Sequence, residues 1–212
     1  NSTWRVLRLR PMLWLALRLP LLSLEVFPQQ PSPSATIARE RIVACDPLAA
    51  SGGVMPGMRL ADAWSLLPEL AVQERDAERE RRRLETLACW AGGFTSEVSL
   101  ALPDALLLEV AGSLRLFGGL EALLARLLQG IAGQGHAACT ALAPTPRAAL
   151  WLAVAGEAGN AAVPRCLDVA DLRDTLGTLP LEVLELDAAQ MRRITGFGAR
   201  NLGDLLRLPR SG

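Results

Sequence analysis

Residues 12–19 alternate without a break. Leu13, Leu15, Leu17 and Leu19 fall on one face, and Trp14, Ala16 and Arg18 fall on the other. A period of two over this length is the pattern of a β-strand and cannot be satisfied by a helix. The fold must therefore contain a sheet with this strand in it. Arg5, Arg8 and Arg10 precede the run, so the segment also resembles a secretory leader. Arg18 and Pro20 interrupt the apolar stretch, no small-residue cleavage site follows, and the run is too short to span a bilayer. The strand is the preferred reading, a secreted chain the alternative, and residues 1–11 are read as an N-terminal extension.

Further elements follow from local pattern. Residues 28–35 are rich in Pro, Ser and Gln and predict a loop. A short strand is predicted at 41–45. Residues 46–70 are punctuated by Gly and Pro and predict short helices, clearest from Met58 to Leu67 before Pro68. Residues 74–91 predict a charged helix with an apolar stripe at Ala77, Leu84, Leu87, Ala88 and Ala91. Its Glu and Arg residues read as a solvated face. Val98, Leu100 and Leu102, then Pro103-Asp104, then Leu106, Leu108 and Val110 predict a hairpin. Gly118-Gly119 opens a helix with Leu120, Leu123, Leu124, Leu127, Leu128 and Ile131 on one face. A strand at 137–142 follows. Thr145 caps a helix with Pro146 at its first position and Gly156 at its end.

Two βαβ-like halves on one sheet predict an α+β, ferredoxin-like fold. The expected domains are a sheet domain from 12–27 and 71–163, an insert at 28–70, and a small helical domain at 164–212. The change to short helices separated by Gly and Pro after residue 164 marks the last boundary.

Composition constrains function weakly. Half of the 212 residues are hydrophobic and the formal net charge is +0, which argues neither for nor against nucleic acid. Every basic residue except His136 is an arginine, which a GC-rich genome explains without functional selection. Cys45, Cys89, Cys139 and Cys166 lie far apart with no CxxC pair, so a zinc site or disulfide framework is not expected. Free thiols in a reducing compartment fit this spacing. His136, alone before a strand, reads as structural.

Three stretches together resemble the Y-family (UmuC-like) translesion DNA polymerases. GVMPGMRLADAWSLLPEL (Gly53–Leu70) is similar to their fingers signature. LLLEVAGSLRLFGG (Leu106–Gly119) is similar to the palm strand after their acidic motif. ITGFGARNLGDLLRLP (Ile194–Pro209) is similar to their thumb helix-hairpin-helix. MLWLALRLP, GSLRLFGG and LGDLLRLPR further resemble the catalytically degenerate ImuB-type branch. The likeness covers roughly residues 12–210. It implies a ferredoxin-like palm with a small helical fingers insert, followed by a small helical thumb.

Nucleotidyl transfer on such a palm needs two divalent ions held by carboxylates, and Mg²⁺ demands hard oxygen ligands. The family's first metal-binding Asp matches Ala16, with the Leu17 carbonyl next to it. A second Asp matches Arg18, whose charge would repel a metal. The aromatic sugar gate matches Leu21. The Asp-Glu pair matches Asp104-Ala105, so only Asp104 survives, and after Pro103 its preferred reading is a turn former. Glu109 on the neighbouring strand is an alternative ligand or an exposed strand residue. The Tyr and Arg that grip the triphosphate match Pro47 and Ala50. No catalytic, metal or cofactor site is expected; Mg²⁺ enters only in the alternative of an active polymerase with displaced carboxylates.

DNA contact is expected at the hairpin. Gly196 and Gly198 flank Phe197 before a helix, with Arg192, Arg193, Arg200, Arg207 and Arg210 nearby and Asp204 opposed. Backbone N–H groups there would face a phosphate. The plainer alternative is a helix end at Gly196 and a solvated arginine face. The resemblance implies a DNA-binding scaffold or adaptor in damage-induced (SOS) mutagenesis. Its implied partners are DNA, a RecA-like companion protein, an error-prone replicative-type polymerase and the sliding clamp. It implies a cytoplasmic, nucleoid-associated protein and no membrane.

Overall fold

The computed structural model describes residues 12–28, 32–156 and 163–207. The expected extension at 1–11 and Arg210 lie outside the described residues. In chain order the elements are β1 (Trp14–Arg18), α1 (Leu22–Glu25), β2 (Ser34–Ala38), β3 (Arg41–Cys45), α2 (Pro47–Ser51), α3 (Leu60–Leu66) and β4 (Ala71–Glu74). There follow α4 (Ala77–Ala91), β5 (Val98–Ala101), β6 (Ala105–Glu109), α5 (Leu114–Phe117), α6 (Leu120–Gly133), β7 (Cys139–Ala143) and α7 (Pro146–Gly156). The last elements are α8 (Leu172–Gly177), a 3₁₀ turn (Leu181–Leu184), α9 (Ala188–Gly196) and α10 (Leu202–Arg207).

β1 is central, as its two-sided apolar pattern requires. The main sheet runs β5-β6-β1-β7, and β1 pairs antiparallel with both β6 and β7. With α4 and α6 as crossovers this is the βαββαβ order of a ferredoxin-like fold. The alternation in β1 then builds two cores. Leu15, Leu17 and Leu19 join Leu106 and Leu108 against Leu84 and Leu87 of α4 and Leu123, Leu127 and Ile131 of α6. Ala16 faces the other way, with Ala141 and Ala143, onto Ala148, Ala149 and Ala153 of α7. Small side chains on both surfaces let α7 lie close to the sheet.

The second core continues into the C-terminal helices through Leu176, Leu179, Leu181, Val183, Ala199 and Leu202. Pro164 to Cys166 runs beside β7, joined by Leu142 N–H to the Pro164 carbonyl at 3.0 Å and Cys166 N–H to the Leu142 carbonyl at 2.9 Å. Asp187 starts α9 with a reciprocal cap, its carboxylate accepting from Gln190 N–H while the Gln190 side chain accepts from Asp187 N–H.

The insert contains the expected short helices and the expected strand at 41–45. Its β2 and β3 join β4, which lies just past the expected boundary at residue 70, in a three-stranded sheet of order β3-β2-β4, with β2 antiparallel to β3 and parallel to β4. The predicted loop therefore stops at Pro33, and Glu74 belongs to β4 rather than to the charged helix. Ala35, Ile42, Ala49, Val54, Ala63 and Leu70 form its own small core. A buried hydroxyl pair, Ser23 Oγ to Thr36 Oγ1 at 2.7 Å, joins α1 to β2. Among the described residues no helix is long and apolar enough to cross a membrane.

Candidate functional site

A cleft of about 650 Å³ opens between the end of β1, the β5–β6 turn and the insert. Its charged residues are Arg18, Arg75, Glu80, Asp104 and Glu185. Arg18 is the last residue of β1 and stands opposite Ala105 in the sheet. Its Nε donates to Asp104 Oδ2 at 3.0 Å and its Nη2 to Glu185 Oε1 at 3.0 Å. The turn that carries Asp104 is held to the strand by Leu19 N–H donating to the Asp104 carbonyl at 2.8 Å. Glu185 ends the 3₁₀ turn in a left-handed conformation, φ 49°. One guanidinium thus ties the central strand, the hairpin turn and the C-terminal helices together.

Arg75 and Glu80 make a second pair in the same cleft. Arg75 Nε and Nη2 reach the two Glu80 oxygens at 2.8 and 2.6 Å, and the Glu80 side chain is 3% exposed. Hydrogen bonding to Glu80 raises the Arg75 pKa still further. Burial raises the Asp104 carboxyl above the ordinary aspartate range, against the pull of Arg18 and then Arg75.

The positions expected to be degenerate are placed as follows. Ala16 is fully buried, opposite Leu107 and Ala141. Ala105 is fully buried beside Arg18. Pro47 is the first residue of α2 and Ala50 lies on its exposed side. The residue before them, Asp46, caps that helix and collects four hydrogen bonds, from Ser32 Oγ, Ser34 N–H, Ser34 Oγ and Ala49 N–H. Leu21 lines the cleft. Glu109 sits at the far end of β6, opposite Trp14, where its Oε1 accepts from Leu13 and Ala111 N–H. Five residues of strand, about 16 Å, separate it from Asp104, so it is not a ligand in this cleft.

A divalent cation needs several free carboxylate oxygens converging on one point. Here an Asp104 oxygen and a Glu185 oxygen hold Arg18, and Glu80 holds Arg75. Among the described residues no group of three or more His, Cys, Asp and Glu side chains is placed to hold a metal. The residues present do not fit a two-metal centre, because a guanidinium already supplies the positive charge. Arg75, Glu80 and Glu185 were missed by sequence reasoning. Glu185 is 167 positions from its partner, and no local pattern announces it.

His136 is buried in a polar relay. Arg83 Nε donates to its Nε2 at 2.7 Å, and its Nδ1 lies 2.7 Å from Glu25 Oε2. With Nε2 accepting, Nδ1–H is the donor to Glu25.

The hairpin between α9 and α10 carries the remaining expected site. Phe197 caps α9, and Gly198 takes a left-handed conformation, φ 83°. Gly198 N–H donates to the Thr195 carbonyl, and Asp204 accepts from Arg200 and Asn201 N–H. Gly196, Gly198, Arg192, Arg193 and Arg200 are exposed together on this hairpin, and no ion pair among the described residues uses these arginines. Phe197 is 74% exposed at its tip.

A ferredoxin-like sheet with a small insert after its first strand and a helical hairpin after its last helix defines a polymerase-like protein. Comparison with solved structures agrees. A Dbh DNA polymerase insertion ternary complex superimposes with a TM-score of 0.71 over 93% of this chain and 61% of that chain, at 16% identity. DinB from Sulfolobus solfataricus superimposes with a TM-score of 0.68 over the same shares, also at 16% identity. The chain belongs to the impB/mucB/samB family, whose pattern matches residues 26–153. Protein ImuB of Caulobacter vibrioides is 33% identical over 159 residues, 75% of this chain. The chain spans about a third of that relative's length, 34%.

Proposed function

We propose that this chain is the polymerase-like part of a non-catalytic scaffold that holds DNA and partner proteins during damage-induced (SOS) translesion synthesis and mutagenesis. Its palm comprises 12–27 and 71–163, its fingers 28–70 and its thumb 164–212. The observation that carries this reading is Arg18. A guanidinium held between Asp104 and Glu185 takes the place where the chemistry would require cations bound by free carboxylates. Ala16 and Ala105 supply no replacement, and Asp46 puts a negative charge beside Pro47 where the fingers would grip a triphosphate. What this surface retains is a fold shaped for primer–template DNA and a hairpin with Arg192, Arg193 and Arg200 exposed.

The likeness to Protein ImuB supports the mutagenesis context. With it come the expected partners, a RecA-like companion protein, an error-prone replicative-type polymerase and the sliding clamp, at the cytoplasmic nucleoid. No cofactor is required by this role. The test uses the full-length protein with primer–template DNA. Salt-sensitive binding without Mg²⁺-dependent extension is expected. Extension that disappears in Asp104→Ala would overturn the non-catalytic reading and establish an active polymerase with displaced ligands.

A further inference from the structure

The β2–β3 hairpin of the fingers carries a charge arrangement that the fold does not need. Arg41 and Arg59 form an antiparallel backbone bridge, so two cations stand directly across from each other. Like charges in that position destabilise a sheet unless an anion lies between them. Arg39 joins them around a depression of about 320 Å³ that also includes Glu40, Leu60 and Ala61. Arg39, Arg41 and Arg59 are all exposed. None of the ion pairs among the described residues uses these three arginines or Glu40. Only Arg41 has a fixed role, donating from Nη1 to the Gly57 carbonyl at 2.7 Å.

The turn that presents them is itself strained. Arg39 and Glu40 both have positive φ, 51° and 58°. A two-residue hairpin loop of that kind selects Asn-Gly, because ordinary side chains resist the left-handed region. The Glu40 carbonyl accepts from Leu60 N–H at 2.9 Å, but neither side chain of the turn has an ion-pair partner among the described residues, and strain at such an exposed turn points to a binding role.

We infer that Arg39, Arg41 and Arg59 form a binding site for the phosphate backbone of nucleic acid on the fingers, separate from the thumb hairpin. Guanidinium forks match phosphate oxygens in pairs. The lining offers no aromatic or large buried anchor of the kind that centres a protein interface, which favours a polyanion over an acidic protein segment. This site extends the DNA-binding reading above to a second surface.

The experiment measures affinity of the full-length protein for primer–template DNA with a long 5′ overhang, across a salt series. Two fingers variants are compared with wild type, Arg39→Gln/Arg41→Gln/Arg59→Gln and Arg39→Asn/Glu40→Gly. Arg192→Ala/Arg193→Ala serves as the thumb control. The triple fingers variant is expected to weaken binding about tenfold and to lower the slope of log K against log salt by about two. The Asn-Gly variant relieves the turn, so it is expected to melt at a higher temperature yet bind DNA more weakly. Unchanged affinity and slope in both fingers variants, with loss in the thumb control, overturn the fingers site while leaving DNA binding by the thumb intact. Binding of poly-glutamate that is lost in the triple variant while DNA binding persists also overturns it. Absence of DNA binding by wild type overturns both this site and the reading on which it rests.

Discussion

The cleft of the palm and the surface of the thumb hairpin use the same residue type in opposite ways. In the cleft, Arg18 pairs with Asp104 and Glu185 and Arg75 with Glu80, and among the described residues no group of three or more His, Cys, Asp and Glu side chains is placed to hold a metal. On the hairpin, Arg192, Arg193 and Arg200 project outward with no ion pair among the described residues, and Asp204 serves backbone N–H groups instead. Arginine inside closes a site, because a guanidinium with satisfied donors has nothing left to offer a ligand. Arginine outside, unpaired and beside a turn, is available to phosphate. The difference is one of pairing: the guanidinium groups of the cleft are neutralised by carboxylates, and those of the hairpin are not.

The largest effect is expected from adding an acid to β1. Ala16→Asp supplies one acid, but the position is sealed among Leu107, Ala141 and the alanines of α7. Burying an unpaired carboxyl there should cost at least about 4 kcal/mol, measured by urea denaturation, with no rise in melting temperature on adding Mg²⁺. A clear Mg²⁺-dependent stabilisation would show that the cleft can hold a metal. Next in size, Arg75→Ala leaves the buried Glu80 carboxylate without its partner. A loss of about 3 kcal/mol is expected. A loss below about 1 kcal/mol would mean that the pair behaves like an exposed ion pair.

How far the sequence led depends on how local each signal was. The alternation in β1 and the stripe in α6 were legible because core-facing periodicity is a local property: Leu15, Leu17, Leu19, Leu123, Leu124, Leu127 and Ile131 are buried as expected, while Leu13, Leu120 and Leu128 at the edges are half-buried. β2 and β4 were not legible. Ala71–Glu74 ends in Gln73 and Glu74, and its strand character comes from parallel pairing with β2 rather than from its own pattern. The stripe on α4 was misjudged at one position. Ala77 is exposed, and Glu80 sits in line with Leu84, Leu87 and Ala91, buried with its charge answered by Arg75 five residues earlier. That spacing crosses the helix start, so helix-pair rules do not reveal it. That β1 and the start of β6 carry Ala16 and Ala105 was plain in the sequence. The ion pairs at this end of the sheet were not, since Arg18, Asp104 and Glu185 meet only in three dimensions.

On the thumb, Arg192→Ala/Arg193→Ala should leave stability within about 0.5 kcal/mol of wild type. The salt slope of DNA binding should fall by about 1.5 if each arginine contacts one phosphate. A large stability loss with an unchanged slope would place these arginines on the structural side of the comparison, alongside Arg18.

The smallest effect sharpens the contrast within the cleft's own surroundings, through pH. Burial works against ionised Asp46, but the hydrogen bonds from Ala49, Ser32 and Ser34 outweigh it and hold the carboxyl below the ordinary aspartate range. An acid whose folded pKa is depressed contributes stability above its unfolded value, about 3.9, and loses it as pH falls through the folded value. Asp104 runs the other way: its raised pKa makes the folded state hold a proton more firmly, so its contribution declines as pH rises from about 3.9 towards the folded value. Asp46→Asn keeps the oxygen that caps Ala49 N–H but replaces the oxygen that accepts from Ser32 and Ser34 with an NH2 donor, so a loss of about 1 kcal/mol is expected at neutral pH. That difference should shrink further as pH is lowered from 5 through the folded Asp46 value, as followed by denaturation at each pH. If the gap between wild type and Asp46→Asn instead widens in acid, the carboxylate is not what organises the start of α2, and the negative charge beside Pro47 loses its structural reason.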